Sequence, residues 1–80
     1  MATLKLEIIT PVATVFQGDV DIVHLPGAEG EMDILPSHEA MVTELVAGEL
    51  RITQKGHVQV LAIAEGFAEI TGTSVGVLTD

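Results

Sequence analysis

The feature that most constrains this chain is the close spacing of its turn-forming residues. Eight glycines and three prolines divide the 80 residues into short intervals. Valine, isoleucine and threonine dominate these intervals, and such residues favour β-strands. Many short strands separated by frequent turns are typical of a sandwich or barrel. We therefore predict an all-β fold of about ten short strands in a β-sandwich or flattened barrel, with residues 1–80 forming one domain.

The turn signals and the alternation of apolar and polar side chains place the predicted strands. Pro26 and the two glycines that follow it mark residues 26–30 as a loop. Residues 40–46 carry apolar spacing that also suits a short helix, whereas the other segments suit strands only. The predicted strands, in chain order, are residues 4–10, 13–17, 19–25, 32–35, 41–46, 49–54, 57–64, 67–71 and 74–79.

The charge balance narrows the classes of partner. Twelve acidic residues oppose three lysines and arginines, which gives a net charge of −9. Phosphate backbones and anionic lipids would repel such a surface, so neither nucleic acid nor direct lipid binding is expected. The chain has no cysteine, which excludes disulfides, thiolate metal ligands and a cysteine nucleophile. No apolar run approaches the ~18 residues of a membrane-spanning helix.

The apolar content is high for so small a domain. Hydrophobic residues make up 48% of the chain, mean hydropathy is +0.50, and only 19% of residues are charged. Residues 60–64 are apolar on both faces of their strand, as are the pairs at 8–9 and 77–78. Such strands lie between two covering layers, yet a sandwich of this size has one interior. We therefore predict a second apolar face covered by a partner or a second copy; ordinary exposed apolar atoms around a well-filled core are the alternative.

The motifs that would carry chemistry are incomplete. His38 and Glu39 begin like a zinc-protease pattern but lack its second histidine, and the three histidines of the chain have no ligand spacing. Ser37, His38 and Glu39 are consecutive, so their side chains point in different directions and do not converge as a catalytic triad. Residues 27–30 lack the glycine spacing and the lysine of phosphate-binding loops. We expect no metal site, cofactor, nucleotide site or catalytic centre.

Acidic residues cluster around the glycine-rich loop. Glu29, Glu31 and Asp33 alternate along it, and Glu39 follows nearby. One interpretation is a charged loop surrounded by solvent. The other is a docking surface for a basic loop of a partner, where charges set association rate and specificity more than affinity. Calcium binding is a weaker option because no spaced loop of oxygen ligands is present.

Five segments in a fixed order resemble a known family. The most specific is residues 24–38, HLPGAEGEMDILPSH; the others are VFQGDV (15–20), GELRI (48–52), GFAEI (66–70) and VGVLTD (75–80). Together they are similar to the amino-terminal β-sandwich domain of the epsilon subunit of F-type ATP synthases, over nearly the whole chain. Two departures are visible, because Glu65 and Asp33 stand where many members have glycine.

The resemblance implies a non-catalytic subunit of the central stalk, or rotor, of a proton-translocating ATP synthase. In that family the sandwich binds the gamma subunit and rests on the polar loops of the membrane c-ring, which couples proton translocation to ATP synthesis. The ring-docking edge that the resemblance implies consists of Glu29, Gly30, Glu31 and His38. For the face that contacts gamma, we predict Leu61 and Ile63, or else the opposite parity of another strand. The subunit is then expected on the cytoplasmic face of the bacterial inner membrane or the stromal face of the chloroplast thylakoid.

Members of this family usually continue past the last strand into two carboxy-terminal helices, which carry an inhibitory extension. This chain stops at Asp80, either as a naturally short form or as a truncation, and in both cases we expect it to couple but not to inhibit through a helical hairpin. The alternative function is a free-standing β-sandwich interaction module that forms a homodimer, which would equally explain a second apolar face. A small-ligand carrier has the weakest support because aromatic residues are few and no convergent polar set is visible.

Overall fold

Strands account for all the regular secondary structure of the described chain. A computed structural model describes residues 2–80, and the predicted all-β fold class is confirmed. Within residues 40–46, which also suited a helix, Met41–Leu45 form a strand. The strands within residues 2–80 are β1 (Leu4–Ile9), β2 (Thr14–Val20), β3 (Ile22–Gly27), β4 (Gly30–Ile34), β5 (Met41–Leu45), β6 (Gly48–Gln54), β7 (His57–Ile63), β8 (Gly66–Ile70) and β9 (Ser74–Thr79).

The strands form one curled sheet with two layers. The first layer has the order β2-β1-β9-β8-β5, and the second has the order β4-β3-β6-β7. Gly27 on β3 pairs with Leu45 on β5, which joins the layers at one corner. Near the bend between β2 and β3, the Asp21 amide donates to the Thr53 carbonyl at 2.8 Å, which ties this bend to β6. β1 and β9 run parallel, whereas the other strand pairs are antiparallel.

The core lies between the two layers and follows the alternation of the strands. On β1, Leu4, Leu6 and Ile8 point inward and are at most 1% exposed, while Lys5 and Glu7 point outward. Burial of each such aliphatic side chain contributes about 1.5–3 kcal/mol. The buried apolar residues are Leu4, Leu6, Ile8, Val20, Val23, Leu25, Ile34, Leu45, Leu50, Ile52, Ala68, Ile70, Val75 and Val77.

The predicted break at Gly18 is wrong. β2 continues through Gly18, which pairs with Leu6 in the β1–β2 ladder. The chain bends instead at Asp21, whose Oδ2 accepts a hydrogen bond from the Lys55 amide at 2.8 Å. An aspartate side chain that accepts a hydrogen bond from the backbone of a neighbouring turn can fix a bend. A glycine inside a strand weakens the strand but need not end it.

The predicted loop at residues 26–30 is shorter than expected. Pro26 and Gly27 belong to β3, so only Ala28 and Glu29 form the turn to β4. Pro26 has no amide proton to donate, and its carbonyl accepts from the Val46 amide at 2.9 Å. A Cβ atom on Gly27 would lie 2.5 Å from the Gly30 carbonyl oxygen. The two backbones therefore approach each other closely enough to require glycine at this position.

Candidate functional site

The β3–β4 hairpin carries three of the four residues predicted for ring docking. Glu29 lies in the turn, Gly30 and Glu31 begin β4, and all three are exposed. Gly30 has a φ of 132°, a backbone conformation that side-chain-bearing residues rarely adopt. The Ala28 amide donates to the Glu44 carbonyl at 2.9 Å and so attaches the turn to β5. The two glutamates are therefore presented on an anchored turn.

His38, the fourth predicted docking residue, lies beyond the opposite end of β4. Its Nδ1 donates to the Glu39 carbonyl at 2.8 Å, and the preceding Ser37 amide donates to the Gly72 carbonyl at 2.8 Å. The length of β4 separates this loop from the Glu29 turn by about 13 Å at the usual rise of an extended chain. The structure thus does not bring His38 together with the other three, and its role in docking stays a prediction.

His24 also belongs to this site, although the sequence analysis did not include it among the docking residues. It lies on β3 opposite Asp33, and its Nδ1 is 2.7 Å from Asp33 Oδ1. Its Nε2 is 2.9 Å from Glu31 Oε1. The available signal is hairpin register, because a two-residue turn at 28–29 pairs position 24 with position 33. We call His24, Glu31 and Asp33 the histidine cluster.

Electrostatics favour a charged ring in the histidine cluster. Hydrogen bonding to the Glu31 carboxylate, and then to that of Asp33, raises the pKa of His24 above its ordinary value, while desolvation of the ring opposes the shift. The His24 side chain is 20% exposed, against 71% for Glu31 and 63% for Asp33. On its other flank His24 pairs in register with Arg51, whose Nη2 lies 3.5 Å from Glu49 Oε1.

Exposed apolar side chains lie on the outer faces of both layers. On the first layer Phe67 and Leu78 are directly opposite each other and are 53% and 59% exposed. Ile9 lies beside Leu78 on the parallel neighbour and is half-buried. We call Ile9, Leu78 and Phe67 the apolar row. On the second layer Val58 and Val60 are exposed on the edge strand β7.

Leu61 and Ile63, predicted to contact gamma, lie on the inner side of β7. Both are half-buried and pack against the core. The exposed positions beside them belong to the opposite parity, which includes Val60 and Ala62. Their contact with gamma stays a prediction. The side chains that β7 presents to solvent near them are those of Val60 and Ala62.

The described residues contain neither a metal centre nor a spanning helix. Across residues 2–80, no group of three or more histidine, cysteine or acidic side chains has the arrangement of a metal site. The same residues form no helix long and apolar enough to cross a bilayer. No buried side-chain nitrogen or oxygen of this part of the chain lacks a hydrogen-bond partner.

Comparison with known proteins decides the family. The sequence profile described as "ATP synthase, Delta/Epsilon chain, beta-sandwich domain" matches residues 3–80. The chain belongs to this family. The epsilon chain of Desulforamulus reducens is 42% identical over 78 residues, which cover 98% of this chain and 59% of that relative. The epsilon chain of Dehalococcoides mccartyi is 45% identical over 80 residues, covering 100% of this chain and 57% of the relative. This member of the family therefore spans about three fifths of the length of these relatives.

Solved structures of ATP synthase assemblies contain the same sandwich. A chain in the mitochondrial ATP synthase of Euglena gracilis, OSCP/F1/c-ring in rotational state 1, matches 99% of this chain with a TM-score of 0.92 and 27% identity. The match covers 51% of that chain. A chain of the central stalk and c-ring of the Tetrahymena thermophila enzyme matches 95% of this chain with a TM-score of 0.80. Its 14% identity supports the shared fold of the delta/epsilon sandwich alone.

Proposed function

We propose that this chain is the sandwich domain of a non-catalytic rotor subunit in the central stalk of an F-type ATP synthase. It would bridge the gamma subunit and the c-ring and so couple proton translocation to ATP synthesis. The main support for this proposal is the family match over residues 3–80. The structural match to a chain of an F1/c-ring assembly, with a TM-score of 0.92 and 27% identity, agrees with it. The protein would then act at the surface of the membrane that holds the synthase, on its cytoplasmic or stromal side.

The fold suits the transmission of torque. Each strand of the described chain is hydrogen-bonded to at least one neighbour, and the inner faces share one closely packed core. Such interiors have the packing density of organic crystals and low compressibility, so they transmit strain instead of absorbing it. A coupling element needs this stiffness together with firm attachment at two places.

The apolar row is the proposed contact with gamma. Phe67 and Leu78 leave about half of their side-chain surface in water, and Ile9 extends the row across a third strand. Aromatic and aliphatic side chains at the centre of an interface are the usual sources of binding energy. Val58 and Val60 are the competing choice; they lie on the edge strand β7, where Val60 pairs with Arg51 and Val58 with Thr53.

The hairpin turn is the proposed contact with the ring. Glu29 and Glu31 project from an anchored turn, and a carboxylate paired with a basic side chain of a ring loop forms a strong, charge-assisted hydrogen bond. This turn and the apolar row lie at the same end of the sandwich. The ladder that connects them runs from Gly27 to Leu45, then to Gly66, and from Gly66 to Thr79.

Capture of partners from membranes tests this function. The tagged chain is incubated with detergent-solubilised ATP synthase that has been depleted of its own epsilon subunit. Recovery of both gamma and the c-ring supports the proposal. Recovery of only further copies of this chain would instead establish the homodimer, which the exposed apolar row also suits.

Surface variants assign the two contacts. Phe67→Ser with Leu78→Ser should lower recovery of gamma at least tenfold, because each lost apolar contact is worth about 1.5–3 kcal/mol. The matched control, Val58→Ser with Val60→Ser, removes as many exposed apolar residues from the other layer and should retain gamma. Glu31→Lys should weaken ring recovery while the chain stays folded at the temperature of the assay. Equal loss of gamma in both double variants would contradict the assignment.

A further inference from the structure

The histidine cluster engages the same carboxylate that the proposed function directs toward the ring. Both ring nitrogens of His24 face a carboxylate oxygen, at 2.7 Å for Asp33 and 2.9 Å for Glu31. We propose that His24 is a positioning residue for Glu31, which it holds against the hairpin when the ring is protonated and releases when the ring is neutral. The part of this inference that concerns docking rests on the proposed function, whereas the part that concerns Glu31 itself does not.

The proposal depends on the number of N–H donors that the imidazole ring has in each protonation state. A protonated ring donates from both nitrogens, while a neutral ring donates from one and presents a lone pair on the other. With both carboxylates ionised, the two contacts in the cluster therefore require the charged ring. When the proton leaves, the ring keeps its hydrogen on one nitrogen, and the other nitrogen then faces a negatively charged oxygen without a hydrogen between them.

The geometry indicates which carboxylate is released. Asp33 is the direct cross-strand partner of His24, and its contact is the shorter one. Glu31 is the diagonal neighbour, reaches Nε2 through a longer side chain, and is the more exposed of the two. A neutral ring that keeps its hydrogen on Nδ1 retains Asp33 and repels Glu31. The glutamate at the base of the turn is thus the mobile member of the cluster.

The surrounding charges act in both directions. From β4, the carboxylates of Glu31 and Asp33 face the ring and raise the pKa of His24. From β6, Arg51 lies opposite His24 in register and disfavours a second positive charge, although its own guanidinium is close to Glu49. The two direct hydrogen bonds outweigh the desolvation of the ring, so the pKa of His24 is raised above its ordinary value.

The first test measures the cluster in the 80-residue chain without any partner. Proton NMR follows the titration of the His24 ring, and carbon NMR follows the Glu31 side-chain carboxylate across the same pH range. Glu31→Gln should lower the midpoint of the His24 ring by about 0.5 pH unit, since an amide cannot stabilise the charged ring as a carboxylate does. In the wild-type chain the Glu31 signal should change at that same midpoint.

A matched variant separates the hydrogen bond from net charge. Glu29→Gln removes the same charge from the same hairpin, but Glu29 is not among the ring contacts of His24. It should move the His24 midpoint by less than half as much as Glu31→Gln does. Equal shifts in the two variants, or a Glu31 carboxylate signal that ignores the His24 transition, would overturn the positioning role.

The second test asks whether the cluster controls docking. Binding of the chain to a solubilised assembly of gamma and c-ring is measured at pH 6 and pH 8.5. For the wild type, affinity should rise several-fold with pH as Glu31 becomes free, and for His24→Gln it should stay level. The same pH dependence in His24→Gln would show that docking is not controlled by this residue. Absence of binding at either pH would contradict the proposed function, and the NMR titration alone would then decide whether His24 positions Glu31.

Discussion

Protonation of a single ring links the histidine cluster to the stability of the fold. The folded-state pKa of His24 is raised by its hydrogen bonds to Glu31 and Asp33. The stabilisation that results is complete below the unfolded pKa of about 6.5 and is lost as pH rises through the folded-state pKa.

Urea denaturation should show this loss. Between pH 5.5 and pH 8.5, the free energy of unfolding of the wild type should fall relative to that of His24→Gln. Using the difference between the two proteins cancels the repulsion among the other acidic groups. When Glu31→Gln and Asp33→Asn are both present, this fall with pH should disappear, because only the desolvation that lowers the pKa of His24 remains. If the free energy of unfolding of the wild type instead rose with pH relative to that of His24→Gln, the neutral ring would be the stabilising form.

Ser37 holds an unfavourable backbone conformation in the loop before β5. Its φ is 69°, in the left-handed region, and its side chain is exposed. Ser37→Gly should raise the free energy of unfolding by about 0.5–1 kcal/mol, because glycine adopts this region without a Cβ clash. Ser37→Ala is the control, since it removes the hydroxyl but keeps the Cβ atom. Chemical denaturation of both should separate them, and an equal gain in both would refute backbone relief as the cause.

At the scale of strands, β8 and β9 approach each other closely enough at Gly66 to require glycine there. A Cβ atom on Gly66 would lie 2.0 Å from the Leu78 carbonyl oxygen, so the two strands would have to move apart. Gly66→Ala should therefore destabilise the fold by about 2–4 kcal/mol. Gly76→Ala is the matched control on the same sheet, where a Cβ atom would meet nothing within 4 Å. In thermal unfolding, the free energy of unfolding of Gly76→Ala should lie within about 0.5 kcal/mol of the wild-type value.

Some strands could be read from the sequence and others could not. β9 spans the predicted residues 74–79, because turn residues flank a run with clear alternation. The end of β2 could not be predicted at Gly18, because glycine occurs both in turns and within strands, and the bend depends on a contact between Asp21 and Lys55 that joins distant segments. Turn chemistry was therefore informative, whereas long-range hydrogen bonds were not visible.

The candidate site shows the same division. Adjacency in the sequence predicted Glu29 and Glu31 on one exposed turn, but His38 was separated from them by a full strand. The inner side of β7 could not be chosen, because both parities of that strand carry aliphatic residues and Leu61 differs from Val60 only by facing the core. His24 required the register of the hairpin, which depends on the exact length of its turn.

At the scale of the whole molecule, a net charge of −9 on 80 residues acts against the folded state. Like charges are closer together in the compact chain than in the unfolded one, so self-repulsion destabilises the fold, and salt screens it. Raising sodium chloride from 20 mM to 500 mM should increase the free energy of unfolding by about 0.5–1 kcal/mol. A charge-reduced variant with Glu7→Gln and Glu69→Gln should gain less from the same salt. Loss of stability with added salt would indicate that the ion pairs outweigh the repulsion.

The parallel pairing of β1 with β9 has a consequence for biosynthesis. One edge of β1 has no hydrogen-bonded neighbour until residues 74–79 have been synthesised, because its partner on that edge is β9. On the ribosome, β1 cannot complete its hydrogen-bonded ladder until residues 74–79 have left the exit tunnel. A chain interrupted before residue 74 would therefore leave apolar surface open to aggregation and proteolysis, instead of folding as a slightly shorter domain.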